Sequence, residues 1–233
     1  MPTALVTGAT AGIGRATAFA LGQAGYRVGV CARTPSKLRG LLDDLATARI
    51  AAAGHPADVG VEADVHEMVA EVFRALGPVD VLVNNAGVAL LKPFAELTLE
   101  DWDTTMATNL RSMYLVTREV LPGMRERKRG AVVNVSSLAG RNGFAGGSAY
   151  AASKHAVLGF SRSLMLEVRK DNIRVITICP GSVDTGLIRE QGMLKPDLAK
   201  ILKAEDVAAT IVSSLALPER AMVSELDVRP TNP

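Results

Sequence analysis

Short, continuously apolar runs alternate with amphipathic stretches along this chain, and that alternation admits few folds. Ala4 to Thr7, Arg27 to Ala32, Val79 to Asn84, Ala131 to Val135, Arg174 to Cys179 and Ser224 to Val228 read as strands. A strand with one wet face would show a polar residue at every second position. Continuous apolarity means that both faces are covered. Between these runs, helices are read from about Arg15 to Ala24, ending at Gly25; from Thr34-Pro35 through Leu38, Leu41, Leu42 and Leu45; and near Val61 to Leu76. Thr98-x-x-Asp101 resembles a capping box and opens a long helix carrying Trp102, Met106, Asn109 and Leu110. Further helices run from about Tyr150 to Val168 and from about Glu205 to Leu217. Ala51 to Ala57 is a weaker strand, because Ala and Gly are poor strand formers. The pattern predicts an α/β, doubly wound parallel sheet (Rossmann fold) of about seven strands with helices on both faces. With 233 residues, 48% of them hydrophobic, a single domain over 1–233 is expected, with a small lid near 186–203.

Charge narrows the partners. Twenty-six basic and twenty-four acidic residues are interspersed rather than grouped, so nucleic acid is not an expected partner. No apolar run approaches the length of a membrane span and no signal peptide is read after Met1, so a soluble cytoplasmic protein is expected. Cys31 and Cys179 each lie at the end of an apolar run and read as two buried free thiols in a reduced compartment, with a disulfide between them as the alternative. His55, His66 and His155 show no ligand spacing with each other or with the cysteines, so no metal site is read.

In an open parallel sheet, ligands bind at the carboxyl ends of the strands, so the polar and glycine residues just after each strand carry the chemistry. Gly8, Gly12 and Gly14 follow the first strand and lead into a helix. Unpaired N–H groups and the helix dipole there suit a pyrophosphate. The spacing is G-x-x-x-G-x-G rather than the commoner G-x-G-x-x-G. Tyr150 and Lys154 lie one helical turn apart on a shared face, thirteen residues after Ser137. Reduction of a carbonyl needs a proton donor beside the hydride source, and an ammonium near a phenol lowers its pKa. The plainer reading of Tyr150 and Lys154 is one face of an amphipathic helix. Ser137 could donate a hydrogen bond to a developing alkoxide. Ser136 competes for that role, although period-two alternation points it to the other face.

In these motifs the chain resembles the short-chain dehydrogenase/reductase family over essentially its whole length. The resemblance covers Thr7 to Gly14, Asp58-Val59, Asn84-Asn85-Ala86-Gly87, Asn109, Ser137, Tyr150 with Lys154, and Pro180-Gly181-Ser182-Val183-Asp184-Thr185. It implies that Gly8, Gly12, Ile13 and Gly14 cradle the cofactor, that Asp58 and Val59 meet its adenine, and that Asn85, Ala86 and Gly87 pass along it. By the same resemblance, Pro180, Gly181, Val183 and Thr185 line its nicotinamide. Tyr150 is implied as acid and base, with Lys154 also holding the ribose, Ser137 the substrate oxygen, and Asn109 a relay water. Asp58 has an ordinary N-cap as its alternative, and Asn109 a buried amide satisfied by backbone.

Cofactor choice is read at the end of the second strand. An acidic residue there would bind the free ribose hydroxyls of NAD; this chain has Ala32 followed by Arg33. A guanidinium contact to a 2′-phosphate contributes roughly 1.5–3 kcal/mol, so NADP(H) is favoured roughly ten- to a hundredfold over NAD(H). NADP-dependent members often carry a second basic residue where this chain has Ala11, and Arg33 has a solvated helix-entry charge as its alternative. The expected activity is reversible, NADP-linked interconversion of a small carbonyl and a secondary alcohol, with a noncatalytic NADP-binding sensor or scaffold as the rival. The tail Val223 to Pro233 resembles the branch containing 3-hydroxy-acid and serine dehydrogenases, which points to a compact polar substrate with Arg141, Asn142 and Arg189 as candidate contacts. The family resemblance also implies a homo-oligomer, a tetramer or a dimer, with the helices carrying Asn109 and Tyr150 at one interface.

Overall fold

The computed structural model describes residues 1–190, 193 and 196–232. Among them, seven parallel strands form one sheet in the order β3-β2-β1-β4-β5-β6-β7. The strands are β1 (Thr3–Val6), β2 (Arg27–Ala32), β3 (Ala52–Pro56), β4 (Val81–Asn84), β5 (Gly130–Val135), β6 (Ile173–Pro180) and β7 (Glu225–Val228). Although the strands read as unbroken apolar runs, their side chains divide with period two. Ala4 and Val6 of β1, Val81 and Val83 of β4, and Val133 and Val135 of β5 face one core. Leu5, Leu82 and Val132 face the other. Helices α1 (Gly12–Gln23), α2 (Pro35–Thr47) and α8 (Ala204–Leu215) cover the first face. Helices α3 (Glu62–Leu76), α5 (Ser112–Glu126) and α6 (Ser148–Val168) cover the second. The weaker third strand does form, paired with β2 from Ala52 to Pro56. Gly54 suits it, because a β-carbon there would sit 2.6 Å from the Val30 carbonyl.

The helix starts follow their local chemistry. Thr98 caps α4 (Leu99–Met106): its hydroxyl accepts the Asp101 N–H (3.1 Å) and the Asp101 carboxylate accepts the Thr98 N–H (3.0 Å). Pro35 opens α2, but the Thr34 hydroxyl makes no cap bond. The first helix begins at Gly12, earlier than the Arg15 expected, because the glycine turn already runs into helical backbone. The long helix expected from Thr98 is not continuous. Ala107–Arg111 forms a π turn between α4 and α5 with Asn109 at its centre. Hydrophobic spacing cannot show such an insertion, since one extra residue leaves the same apolar types on both sides. Of the expected lid, α7 (Gly186–Arg189) and a bridge between Val183 and Leu202 are present; 191–192 and 194–195 lie outside the described residues.

A buried polar chain ties the sheet to the helices of its second face. Asn84 and Asn134 stand opposite each other on β4 and β5. The Asn84 amide donates to Asn134 Oδ1 (2.9 Å) and to Thr117 Oγ1 of α5 (3.0 Å). Asn134 in turn donates to Ser161 Oγ of α6 (2.8 Å), whose hydroxyl donates to the Val157 carbonyl (2.7 Å). Truncating Asn134→Ala strands polar groups of Asn84 and Ser161 in a dry interior. The expected loss is about 1–3 kcal/mol of unfolding free energy in urea titration; an unchanged midpoint would show that the chain contributes nothing to stability.

Candidate functional site

The strand order reverses between β1 and β4, and the crevice at their carboxyl ends holds the glycine turn. Gly8 (φ +63°) and Gly12 (φ +51°) occupy left-handed backbone that side chains disfavour. A β-carbon on Gly8 would lie 2.8 Å from Ala86 Cα, and one on Gly12 would lie 2.9 Å from the Thr185 methyl. A β-carbon on Gly14 would collide with the Gly8 carbonyl and the Asn85 amide. The turn is therefore packed beneath, and α1 starts with no side-chain cap and no acidic residue in its first turn. Its leading N–H groups remain available to an anion, which fits a pyrophosphate. Ile13 packs its side chain against the core beneath.

The loop after β4 is fastened to this turn. Thr7 Oγ1 accepts the N–H groups of Asn85 (3.0 Å) and Ala86 (3.1 Å), and the Asn85 amide donates to the carbonyls of Thr7 (3.0 Å) and Gly8 (3.2 Å). Asn85 thus braces the cradle with its side chain. Thr185 closes over Gly12 from the loop after β6, Gly181 N–H bonds the Val228 carbonyl (2.8 Å), and Pro180 ends β6. Val183 puts its side chain into the core, 4% exposed, so only its backbone can border the crevice.

Farther along the crevice, Arg33 is exposed just past the end of β2, beside Ala32. The N-terminus of α2 that follows has neither a side-chain cap nor an acidic residue in its first turn. Asp58 does not cap α3, whose N-cap is Val61. Its Oδ1 accepts the Gly60 N–H (2.9 Å), and its own N–H bonds Asp64 Oδ2 (2.8 Å). Val59 is buried at the base of this turn.

At the other end, Ser137, Tyr150, Lys154 and Asn109 converge. Lys154 is 5% exposed; its Nζ donates to the Val135 carbonyl (3.0 Å) and stands 5.8 Å from the centre of the Tyr150 ring. Ser136 points away from the crevice, and its hydroxyl bonds the Lys154 carbonyl (3.0 Å), holding α6 to the end of β5. Asn109 Oδ1 accepts the Val88 N–H (2.8 Å), while its amide donates to the Val88 carbonyl (2.9 Å) and to Ser153 Oγ (3.0 Å). Ser153 donates to the Tyr150 carbonyl (2.7 Å). Sequence reasoning named Thr7 and Asn84 within their motifs but gave them no role, and it missed Ser153 and Asn134. Ser153 had a usable signal: it sits three residues after Tyr150, on its helix face.

The electrostatics depart from expectation. The lysine was expected to pull the tyrosine down, yet in this structure burial pushes the Tyr150 phenol above its ordinary value, opposed by a hydrogen bond with the Ser137 side chain. Burial also lowers Lys154 to about 8, because its ammonium is itself desolvated. Two of the three candidate substrate contacts are engaged elsewhere. Arg141 pairs with Asp227 (3.0 Å) and Glu225 (2.5 Å), and Arg189 forks onto Asp184 (2.6 and 2.8 Å). Asn142 is exposed.

Comparison with known proteins bears on this arrangement. Residues 2–193 match the family model described as short chain dehydrogenase. The chain is 45% identical over 184 residues to a putative ketoacyl reductase of Streptomyces coelicolor, covering 78% of this chain and 70% of that protein. It is 41% identical over 180 residues to the NADP-dependent 3-hydroxy acid dehydrogenase YdfG of Salmonella typhi, covering 77% and 71%. Among solved structures, actinorhodin polyketide ketoreductase with NADPH superposes with a TM-score of 0.90 at 36% identity, over 97% of this chain and 95% of that one.

Burial of Lys154 has a pH signature. Below pH 8 the folded protein carries a desolvated ammonium. Between about 8 and the ordinary value of 10.5 the unfolded chain still binds a proton that the folded one has released, so stability rises with pH in that window. Relative to Lys154→Met, the cofactor-free protein should gain on the order of 2 kcal/mol between pH 8 and pH 10, measured by urea denaturation. A constant difference would show that the ammonium is solvated.

Proposed function

This chain belongs to the short chain dehydrogenase family, and we propose that it is an NADP-dependent oxidoreductase that interconverts a carbonyl and a secondary alcohol, with Tyr150 as general acid and base. The observation that carries the reading is the convergence of Tyr150, Ser137 and the buried Lys154 at the carboxyl ends of β5 and β6, in the same crevice as the uncapped glycine turn. A ketoacyl reductase and a 3-hydroxy acid dehydrogenase act on the same chemical couple, which supports it.

The reduced nicotinamide, when bound, supplies the hydride. Ser137 donates a hydrogen bond to the substrate oxygen and holds it beside Tyr150. Tyr150 gives its proton to that oxygen as negative charge builds there, and in the reverse direction takes it back. A phenol raised by burial is fully protonated at neutral pH, which suits donation in the direction of reduction. Lys154, largely charged below pH 8, stabilises the phenolate left behind and reaches for the nicotinamide ribose. Both donor hydrogens of Asn109 are engaged, but one lone pair of Oδ1 remains. A β-carbon placed on Gly87 would lie 3.3 Å from that oxygen and 3.6 Å from Lys154 Nζ, so a relay water beside Gly87 would bridge the two. Arg33 and the open start of α2 take the 2′-phosphate; Gly8, Gly12, Ile13 and Gly14 border the pyrophosphate. Asp58 and Val59 meet the adenine, while Ala86, Gly87, Pro180, Gly181, Val183 and Thr185 pass along the cofactor with their backbone. We read the chain as one domain whose lid includes α7 (Gly186–Arg189) and the bridge of Leu202 to Val183.

Two free buried thiols suit a reducing cytoplasm, and they sit on β2 and β6, four strand spacings or roughly 19 Å apart, too far to pair. A homo-oligomer, most simply a tetramer, is proposed from the groove that Met106, Leu110, Tyr114, Ala156 and Phe160 form across α4, the π turn, α5 and α6, flanked by Asp103 and Arg111, with Tyr114 49% exposed. Light scattering should give a multiple of 24.5 kDa, and Tyr114→Arg should lower it; a concentration-independent monomer would reject the interface.

Activity is tested by NADPH oxidation on a carbonyl panel. Tyr150→Phe should lower kcat by roughly two to four orders of magnitude with NADPH binding retained. Arg33→Ala should weaken NADPH roughly ten- to a hundredfold and leave NADH little changed. NADPH binding with no turnover of any carbonyl would instead favour a noncatalytic sensor.

A further inference from the structure

We propose that Arg141 is a positioning residue for Ser137: its fork onto Glu225 and Asp227 ties the turn that presents the serine hydroxyl to the last strand of the sheet, β7. This rests on the oxidoreductase reading above.

The turn after Ser137 is too short to hold its own shape. Leu138–Gly140 is a single 3₁₀ turn, closed by the Gly140 N–H on the Ser137 carbonyl (2.9 Å) and the Arg141 N–H on the Leu138 carbonyl (2.9 Å). One such turn has strained hydrogen-bond geometry and no cooperativity to draw on, so contacts from elsewhere must fix it. Its shape bears on the chemistry. Ser137 Oγ accepts the Ala139 N–H (3.1 Å), which leaves the hydroxyl proton free to be donated to an oxygen in the crevice. When the turn opens, that bond is lost and the hydroxyl rotates freely.

On the upstream side the turn is held by backbone: the Ser136 N–H bonds the Ile178 carbonyl (2.8 Å), and a β-carbon on Gly140 would lie 2.7 Å from the Lys154 carbonyl. On the downstream side, residues 142–145 are exposed, and the tether is the Arg141 side chain. Its Nε donates to Asp227 Oδ1 (3.0 Å) and its Nη1 to Glu225 Oε2 (2.5 Å). Glu225 also accepts Arg162 Nε (2.6 Å) and Nη2 (3.1 Å), and Arg162 lies on α6, the helix that bears Tyr150. One carboxylate thus joins the turn of Ser137 to the helix of Tyr150. An isolated surface ion pair would contribute little, but here a guanidinium spans two carboxylates in a shared network, with the Glu225 side chain only 18% exposed. The end of β7 presses on the same place: a β-carbon on Gly181 would lie 3.3 Å from the Leu138 methyl and 3.5 Å from Pro230.

Variants are compared on the fastest substrate of a carbonyl panel of 3-oxo acids, their esters, diketones and cyclic ketones, with NADPH affinity read from the fluorescence of the bound cofactor. Arg141→Met should lower kcat roughly ten- to a hundredfold while NADPH affinity stays within about twofold. Arg141→Lys, which reaches one carboxylate but cannot span two, should recover part of that loss. On a Ser137→Ala background, Arg141→Met should cost less than about twofold, because the group it positions is gone. Should Arg141→Met not fold, Asp227→Asn removes one arm of the fork and should lower kcat severalfold with NADPH affinity kept. Three outcomes overturn the assignment: unchanged kcat, a loss as large on the Ser137→Ala background as without it, or a rise in KM confined to 3-oxo acids, which would put the guanidinium on the substrate instead. Each of them leaves the oxidoreductase reading standing. Silence of the unaltered protein on the whole panel removes both.

Discussion

Everything at the crevice depends on the threonine at the end of the first strand. Thr7 Oγ1 takes two N–H groups from the loop after β4, and Asn85 returns its amide to two carbonyls of the glycine turn. These bonds close the gap that the reversal of strand order opens between β1 and β4. Without them, two backbone donors in a partly buried turn would lose their partners, at about 1–3 kcal/mol each. The glycines are then set by proximity: Gly8 must be bare because Ala86 backbone lies against it, and Gly14 because Gly8 and Asn85 do. A cofactor cradle on this fold is a product of tight packing between two loops as much as of backbone freedom.

A second brace organises the proton-transfer end. The π turn at Ala107–Arg111 delivers Asn109 to the Val88 backbone on one side and to Ser153 on the other, so the β4 loop and the helix bearing Tyr150 share one amide. Ser136 ties the Lys154 backbone to the end of β5, and Lys154 itself donates to Val135. Tyr150 and Lys154 are thereby held on a helix pinned at several points. The same burial that fixes them opposes their charges, raising the phenol and lowering the ammonium. Precise placement and easy ionisation work against each other here, and the hydrogen bond with Ser137 offsets part of that opposition at the phenol.

Much of the fold was legible in the residues because burial on both faces leaves a simple trace, a strand apolar at every position. The glycine turn, the tyrosine–lysine pair and Ser137 were legible for a related reason: each is defined by local spacing on one element or by its place just after a strand. The π turn was not, since an inserted residue changes hydrogen bonding without changing composition. Ser153, Asn134 and Ser161 act on partners tens of residues away, and no local pattern separates a polar residue buried with partners from one facing water. Arg141 and Arg189 read as candidate substrate contacts for the same reason, until Glu225, Asp227 and Asp184 came beside them.

The sequence by itself determined the alternation of strands and helices, the parallel sheet, the turn that can accept a phosphate and the tyrosine–lysine pair on one helix face, because these depend on residue type and on neighbours within a few positions. Tertiary structure alone decided which polar groups are satisfied, in which direction burial moves Tyr150 and Lys154, and which carboxylates engage Arg141 and Arg189. Those quantities depend on distances between groups far apart in the chain and on the water excluded between them, and neither is written in any local stretch of residues.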